Sequence, residues 1–262
     1  MVYVDCKKYA QDILDAVKAV PNKRKLVILT AGDNPASASY VKGKIKDCEY
    51  CEIPYEHIKV DTPDTLGWYI AAMSADPAVG GIIVQLPLPE GWDEEYFTNL
   101  VPAFLDVDGL AAGSPFKPCT PEGIMYVLRK ELGDLTGMEA LVIGRGKLVG
   151  EPLAKMLLDA DCTVTVAHSK TRNLTRLCLN SDIVISAVGK PGTVDLEACY
   201  AQIVVDVGVN RDENGKLCGD CYNFDDDECI SWPAVTPVPG GIGLMTRAML
   251  MAHVAGVEVD KL

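Results

Sequence analysis

Residues 139–150 read EALVIGRGKLVG: an apolar run, a glycine turn, and the start of a further apolar segment. The run is short and rich in Leu, Val and Ile, as expected of a strand in a parallel sheet whose two faces are both covered. Gly144 and Gly146 lack the Cβ atoms that would keep the backbone away from a pyrophosphate, and a helix beginning near Val149 would offer free N–H groups and a positive dipole end. Gly150 permits close packing of that helix, and Arg145 and Lys147 stand within the turn. The spacing G-x-G-x-x-x-G is one residue longer than the commonest fingerprint. Alone it is weak evidence; between a strand and a helix of an α/β unit it points to a dinucleotide. A tight structural turn is the alternative.

Working outward, the alternation of apolar runs and helical patterns continues on both sides. Towards the C-terminus the rhythm predicts strand 139–144, helix 149–160, strand 162–167, helix 171–180, and strands 182–188 and 202–207, a doubly wound nucleotide-binding pattern. Towards the N-terminus it predicts helix 5–19, strand 25–32, helix 36–51, strand 53–60, helix 63–75 and the apolar run GGIIVQLPLP at 80–89, a βαβαβ-like segment with a mostly parallel sheet. The Pro- and Gly-containing stretch AAGSPFKPCT at 111–120 reads as a crossing between domains, followed by a helix at 121–132. A last helix at 243–256 follows TPVPGGIG and is expected to pack back on the first domain. The expected fold is thus α/β with two domains: 1–117 plus 243–262 as the catalytic domain, and 118–242 as a Rossmann-like nucleotide domain.

About twenty residues after the glycine turn, an Asp or Glu would hold the adenosine ribose of NAD. The strand there ends instead in Ala167-His168-Ser169-Lys170-Thr171. Ser169, Lys170 and Arg145 can hydrogen-bond a 2′-phosphate, which favours NADP over NAD. Alternatively, Lys170 faces solvent and Ser169 caps a helix.

The chain has 262 residues, with 24 Lys plus Arg against 37 Asp plus Glu, a formal charge of −13. That balance speaks against a general nucleic-acid binder, which relies on neutralising phosphates. No apolar stretch spans a bilayer, and Met1 is not followed by a signal-like core, so a cytoplasmic protein without membrane attachment is expected. The ten cysteines are scattered through a mid-sized α/β pattern and read as reduced thiols. Cys48-x-x-Cys51 and Cys218-x-x-Cys221 have zinc-ligand spacing, but the first pair falls on a predicted helix beside apolar positions, so no metal is expected. The run Asp225-Asp226-Asp227-Glu228 reads as a solvated loop.

In the first domain Tyr40 and Lys44 are four apart and share a helix face. A lysine beside a phenol can act in acid/base chemistry, though an exposed pair at this spacing is also common. Cys119 in PCTP has no histidine near it in sequence and reads as a buried structural thiol.

The ordered set DNPASASYVKGK, GGIIVQLPLP, DVDG, PCTPEGI, GRGKLVG, HSKT, GVN followed by GD, and TPVPGGIGLMT resembles the methylenetetrahydrofolate dehydrogenase/methenyltetrahydrofolate cyclohydrolase family from about residue 25 onward. The resemblance, not composition, supplies the folate substrate. It implies that hydride passes from the methylene bridge of 5,10-methylenetetrahydrofolate to NADP and that the methenyl cation is hydrolysed to 10-formyltetrahydrofolate, in a cleft between the domains. It also implies a place in one-carbon metabolism and purine biosynthesis, and a homodimer through the nucleotide domains.

Position by position, the resemblance puts Tyr40 at a stacking tyrosine, Lys44 at the catalytic lysine, Gln85 at the glutamine that tunes it, and Asp108 at the carboxylate binding the pterin. Leu86, Pro87, Pro239, Gly240 and Gly241 fall among the substrate-binding positions. Gly144, Arg145, Gly146, Lys147, Val149, Gly150, His168, Ser169 and Thr171 fall among those for the cofactor. The chemistry agrees: the cation left by hydride departure disfavours a protonated Lys44, and a neutral amine can assist water attack.

Three departures stand out. Leu105 replaces the lysine usual before DVDG, Leu244 replaces a proline in GGxGPMT, and only eight residues separate Gly109 from Pro118. A dehydrogenase with a weakened hydrolytic step, or a catalytically silent nucleotide-binding regulator, are the rival expectations.

Overall fold

The computed structural model describes residues 2–222 and 233–262; the acidic run at 225–228 lies outside the described residues. In chain order the elements begin β1 (Val2–Tyr3), α1 (Cys6–Ala19), β2 (Lys25–Ala31), α2 (Pro35–Tyr50), β3 (Tyr55–Val60) and α3 (Pro63–Ser74). They continue β4 (Val79–Val84), α4 (Glu94–Leu100), α5 (Cys119–Leu132), β5 (Glu139–Ile143), α6 (Gly150–Leu158), β6 (Thr163–Ala167), α7 (Leu174–Leu179) and β7 (Ile183–Ser186). After them come β8 (Val194–Asp195), β9 (Ile203–Asp206), β10 (Asn210–Arg211), β11 (Leu217–Cys218), β12 (Cys221–Tyr222), β13 (Ala234–Val235) and α8 (Ile242–Ala255). No helix among the described residues is long and apolar enough to cross a membrane.

The chain divides into two compact units, Gln11–Cys119 with Arg247–Leu262, and Met1–Ala10 with Thr120–Thr246. The first holds a parallel sheet in the order β3-β2-β4. Every residue of β4 is buried, as a central apolar run requires. Val27 and Leu29 of β2 and Ile82 and Val84 of β4 share a core with Leu66 and Ile70 of α3 and Phe97 of α4. Helix α3 starts where its capping chemistry dictates: Thr62 accepts from the Thr65 amide, Thr65 reaches back to the Thr62 amide, and Pro63 opens the first turn.

Of the apolar run at 80–89 only the part to Val84 is strand; Pro87 and Pro89 beyond it have no N–H to give a sheet ladder. Only Gln85 keeps one rung, its amide donating to Leu29 O at 2.8 Å. Helix α4 has no counterpart among the expected elements; at seven residues it is too short to show a period, and its signal is Asp93 accepting from the Tyr96 amide.

The second unit holds a six-stranded sheet in the order β1-β13-β9-β7-β5-β6 with every pair parallel. From β5 the chain goes out to β6 and then returns to the other side at β7, so the strand order reverses beside β5. The division differs from the expected one at its ends. Val2 and Tyr3 pair with Ala234 and Val235, which places the first ten residues in the nucleotide unit, not with residues 11–117. The expected helix 171–180 is shorter, Leu174–Leu179, because Asn173 takes a left-handed conformation (φ 56°) that no helix continues through.

Candidate active site

In the nucleotide unit, β5 delivers its last residue to the point of strand reversal and Gly144 turns the chain with φ +112°, a conformation that L side chains rarely adopt. A Cβ at Gly144 would stand 2.5 Å from Ala187 O, and one at Gly150 would stand 2.2 Å from Gly144 O. The turn is therefore pressed between the segment after β7 and the first residue of α6, with space for backbone only. Gly146 meets nothing within 4 Å of the same construction and faces open space. Val149 precedes α6 without a side-chain cap, while Glu151 N finds Gly146 O at 3.1 Å. The helix start thus retains amides for a ligand anion.

After β6, residues 168–171 close a turn of their own. His168 N donates to Thr171 Oγ1 at 2.8 Å, Thr171 N donates to His168 O at 2.8 Å, and Lys170 N donates to His168 Nδ1 at 3.2 Å. His168 and Thr171 are thereby occupied in shaping the turn, while Arg145, Ser169, Lys170 and Arg172 are exposed.

In the other unit, Lys44 is only 4% exposed despite its charge. Its Nζ donates to Gln85 Oε1 at 3.0 Å, and Gln85 Nε2 donates to Leu86 O at 2.7 Å, which fixes the direction of the amide. Burial raises the Tyr40 phenol above its ordinary value, with Arg247 opposing. The pair Lys44–Gln85 is thus brought into contact, with Tyr40 one turn earlier on the same helix. The Leu86 carbonyl also accepts from Ser37 Oγ at 3.5 Å, and the Leu86–Pro87 peptide that follows it is cis.

Asp108 is half-buried, and no hydrogen bond or ion pair links its carboxylate to Tyr40, Lys44 or Gln85 among the described residues. The neighbouring Asp106 plays a different part, shaping the loop that follows. It is buried, its Oδ2 accepts from Ala111 N at 2.7 Å, and its carbonyl accepts from Ser114 Oγ at 3.1 Å. Burial pushes its carboxyl above the usual carboxylate value, against the pull of those donors. The short connection after Gly109 is a loop closed on Asp106. Leu105 lies in the apolar core, 2% exposed.

Several contacts in this unit are not visible in sequence. Arg247 Nε stands 2.7 Å from Asp47 Oδ2, tying α8 to α2. Cys119 is buried and its Sγ donates to Val107 O at 3.3 Å; His253, 134 residues away, places Nδ1 3.6 Å from that sulfur. The fold thus supplies the histidine that the local sequence lacks, but the thiol is inside the core, as expected of a structural cysteine. Cys48, in α2, lies against Met251 Sδ at 3.7 Å, and Cys51 donates to Leu14 O at 3.6 Å.

The segment from Pro237 belongs to the nucleotide unit, where Pro239 and Gly240 are exposed and Gly241 is buried. Leu244 N donates to Gly241 O at 3.0 Å, a bond that a proline at 244 has no hydrogen to make.

The model of the tetrahydrofolate dehydrogenase/cyclohydrolase catalytic domain matches residues 4–108, and that of the family's NAD(P)-binding domain matches residues 118–261. Bifunctional protein FolD 3 of Ectopseudomonas mendocina is 44% identical over 93% of this chain and 84% of its own length. Bifunctional protein FolD of Dechloromonas aromatica is 41% identical over 95% of this chain and 94% of its own. The crystal structure of the FolD methylenetetrahydrofolate dehydrogenase/cyclohydrolase of Campylobacter jejuni is similar over the whole of both chains, with a TM-score of 0.90 at 35% identity. That of the Trypanosoma brucei enzyme complexed with NADP and an inhibitor covers 99% of this chain and 97% of its own, with a TM-score of 0.89 at 28% identity. By these matches and by its two-unit α/β architecture, the chain belongs to the tetrahydrofolate dehydrogenase/cyclohydrolase family.

Proposed function

We propose that the chain is a bifunctional enzyme of one-carbon metabolism: it oxidises 5,10-methylenetetrahydrofolate to the 5,10-methenyl form with NADP and hydrolyses that cation to 10-formyltetrahydrofolate. The observation that carries the hydrolytic step is Lys44, buried and held by the neutral amide of Gln85. A lysine with an amide partner has no ion pair to break when it takes a proton from an attacking water or returns one. The bond from Gln85 Nε2 to Leu86 O turns the amide oxygen of Gln85 towards Lys44. Tyr40 supplies a ring for stacking on the substrate, and Asp108 a carboxylate able to accept from the pterin amino group and ring N–H together. Leu86, Pro87, Pro239, Gly240 and Gly241 complete the folate-binding set in this reading. The unit 11–119 with 247–262 is the catalytic one.

The residues at the glycine turn fit NADP: a turn packed on backbone so closely that Gly144 and Gly150 can carry no Cβ, Gly146 facing open space, an α6 start without a side-chain cap, and exposed Arg145, Ser169 and Lys170. When bound, the cofactor accepts the hydride. Gly144, Gly146, Lys147, Val149 and Gly150 would hold its pyrophosphate, and Arg145, His168, Ser169 and Thr171 its adenosine end. Homodimer formation through the nucleotide unit belongs to the same reading, supported by the end strand β6 and by Val166 and Leu158, 41% and 57% exposed. So does a cytoplasmic setting, where the formyl product would supply purine biosynthesis.

Steady-state assays with NADP and NAD in parallel, followed by product identification, test this. The expected result is NADP-dependent oxidation of methylenetetrahydrofolate with 10-formyltetrahydrofolate as end product. No NADP-dependent absorbance change with that substrate would overturn the proposal, and a better rate with NAD would remove Arg145 and Ser169 from phosphate recognition.

A further inference from the structure

The segment after β7 runs against the glycine turn. Ala187 N donates to Ile143 O at 2.9 Å, and a Cβ at Gly144 would meet both Ala187 O and Val188 Cγ1. Residues 187–190 therefore form the surface beside the turn, at the strand-order reversal where dinucleotides bind. They lie in no helix or strand, so their conformation needs another source of order.

That source is Asp220, fully buried. Its Oδ2 accepts from Ser186 Oγ at 2.9 Å, Val188 N at 3.0 Å and Gly189 N at 3.2 Å. Its Oδ1 accepts from Lys190 N at 2.8 Å and Asn210 Nδ2 at 2.9 Å. Three successive backbone amides thus converge on one carboxylate, and the Asp220 carbonyl takes Thr193 N at 2.8 Å at the far end of the same segment. A second buried carboxylate, Asp206 at the end of β9, holds Asp220 in turn: its Oδ1 accepts from Asp220 N at 3.0 Å and its Oδ2 from Cys221 N at 2.9 Å. The two carboxylates need glycine beside them, for a Cβ at Gly208 would stand 2.2 Å from Asp220 Oδ1 and one at Gly219 1.9 Å from Asp206 Oδ2. This accounts for the GVN and GD motifs, which otherwise carry no side chain with a part in the reaction.

We infer that Asp220 is a positioning residue for the cofactor: it fixes residues 188–190 as the wall of the NADP site beside the glycine turn, and Asp206 acts by holding Asp220. A buried carboxylate satisfied by five donors is rigid, and a segment anchored at three consecutive amides presents its remaining backbone groups to a ligand without an ordering cost on binding. The inference rests on the assignment of NADP to the glycine turn.

Asp220→Asn is close in shape but sets an NH2 group against amide N–H groups that need an acceptor. The expected result is a rise of about tenfold in the dissociation constant of NADPH, followed by its fluorescence, with a matching rise in the KM for NADP. Hydrolysis of added methenyltetrahydrofolate, which uses no nucleotide, should remain within about twofold of the parent, as should the KM for the folate substrate. Loss of hydrolysis in parallel with a lowered melting temperature would make the role merely structural and overturn the inference. If Asp220→Asn fails to fold, Ser186→Ala, which removes one donor, decides: a rise of about threefold in the KM for NADP with intact hydrolysis supports it, and an unchanged KM overturns it. Gly144→Val separates the two assignments. If it abolishes NADP binding while Asp220→Asn does not affect it, the site stands and the positioning role falls; if neither affects it, the NADP assignment itself is wrong.

Discussion

At the end of β5 the turn is made by what side chains leave out, since Gly144 and Gly150 pack against backbone where no Cβ fits and Gly146 faces open space. At α2 the site is made by what they put in: Lys44, buried, and Gln85, half-buried, meet across 41 residues of chain. The first kind of site is tolerant of side-chain identity around it but intolerant of any Cβ. The second tolerates backbone variation but depends on two functional groups and their direction. A chain that carries both can lose one activity without the other, and that separation can be tested.

The largest separation should come from Lys44→Met. Methenyltetrahydrofolate hydrolysis is expected to fall by about a hundredfold or more, the range of a lost general base, while dehydrogenation falls much less. Full hydrolytic activity in this variant would remove Lys44 from the mechanism. The mirror image is Gly144→Ala, where a Cβ meets Ala187 O at 2.5 Å and φ is +112°. Strain of about 1–3 kcal/mol in the turn should lower NADP-dependent oxidation by about tenfold to a hundredfold and spare hydrolysis. Equal losses of both activities would mean that the two sites are not separable.

A smaller effect is expected from Gln85→Glu, which gives Lys44 a carboxylate partner and holds it as an ammonium ion. Hydrolysis should fall by about tenfold relative to dehydrogenation at neutral pH, and an unchanged ratio would show that the neutrality of Gln85 is irrelevant. On the nucleotide side, Arg145→Ala and Lys170→Ala should each raise the KM for NADP by about fivefold and leave that for NAD nearly unchanged, the signature of a charge-assisted bond to a 2′-phosphate. Parallel changes for both nucleotides would place these cations elsewhere.

The smallest effect concerns Asp106, whose carboxyl burial raises above its ordinary value of 3.8. The native state then holds the proton to a higher pH than the unfolded chain, so this group's contribution to stability is present below that value and is lost as pH rises through the folded one. Asp106→Asn lacks this slope. Melting temperatures of parent and variant, compared from pH 4 to pH 7, should therefore shift in the variant's favour as pH rises, and a shift the other way would mean that the bonds from Ala111 and Ser114 outweigh burial.

Much of the molecule can be read from the chain. Strands β2, β4, β5 and β7 announce themselves as compact runs of Leu, Val and Ile, because a strand covered on both faces must be apolar throughout. The glycine turn is legible for a similar reason, since a left-handed backbone beside a packed carbonyl leaves no other residue type. Helix α4 and the pairing of Val2–Tyr3 with Ala234–Val235 are not legible, as seven residues show no period and two residues carry no pattern.

What the sequence by itself determined, then, is where backbone conformation is dictated locally: the longer strands, the glycine turn, and the motif order that marks the family. Only the tertiary structure decided that Lys44 is buried against Gln85, that His253 stands beside Cys119, that Arg247 pairs with Asp47, and that Asp220 gathers the amides of residues 188–190. The physical reason is range. Steric limits on φ and ψ and the period of apolar residues act over a few positions, whereas a hydrogen bond or an ion pair between distant residues exists only once the sheets have brought their ends together.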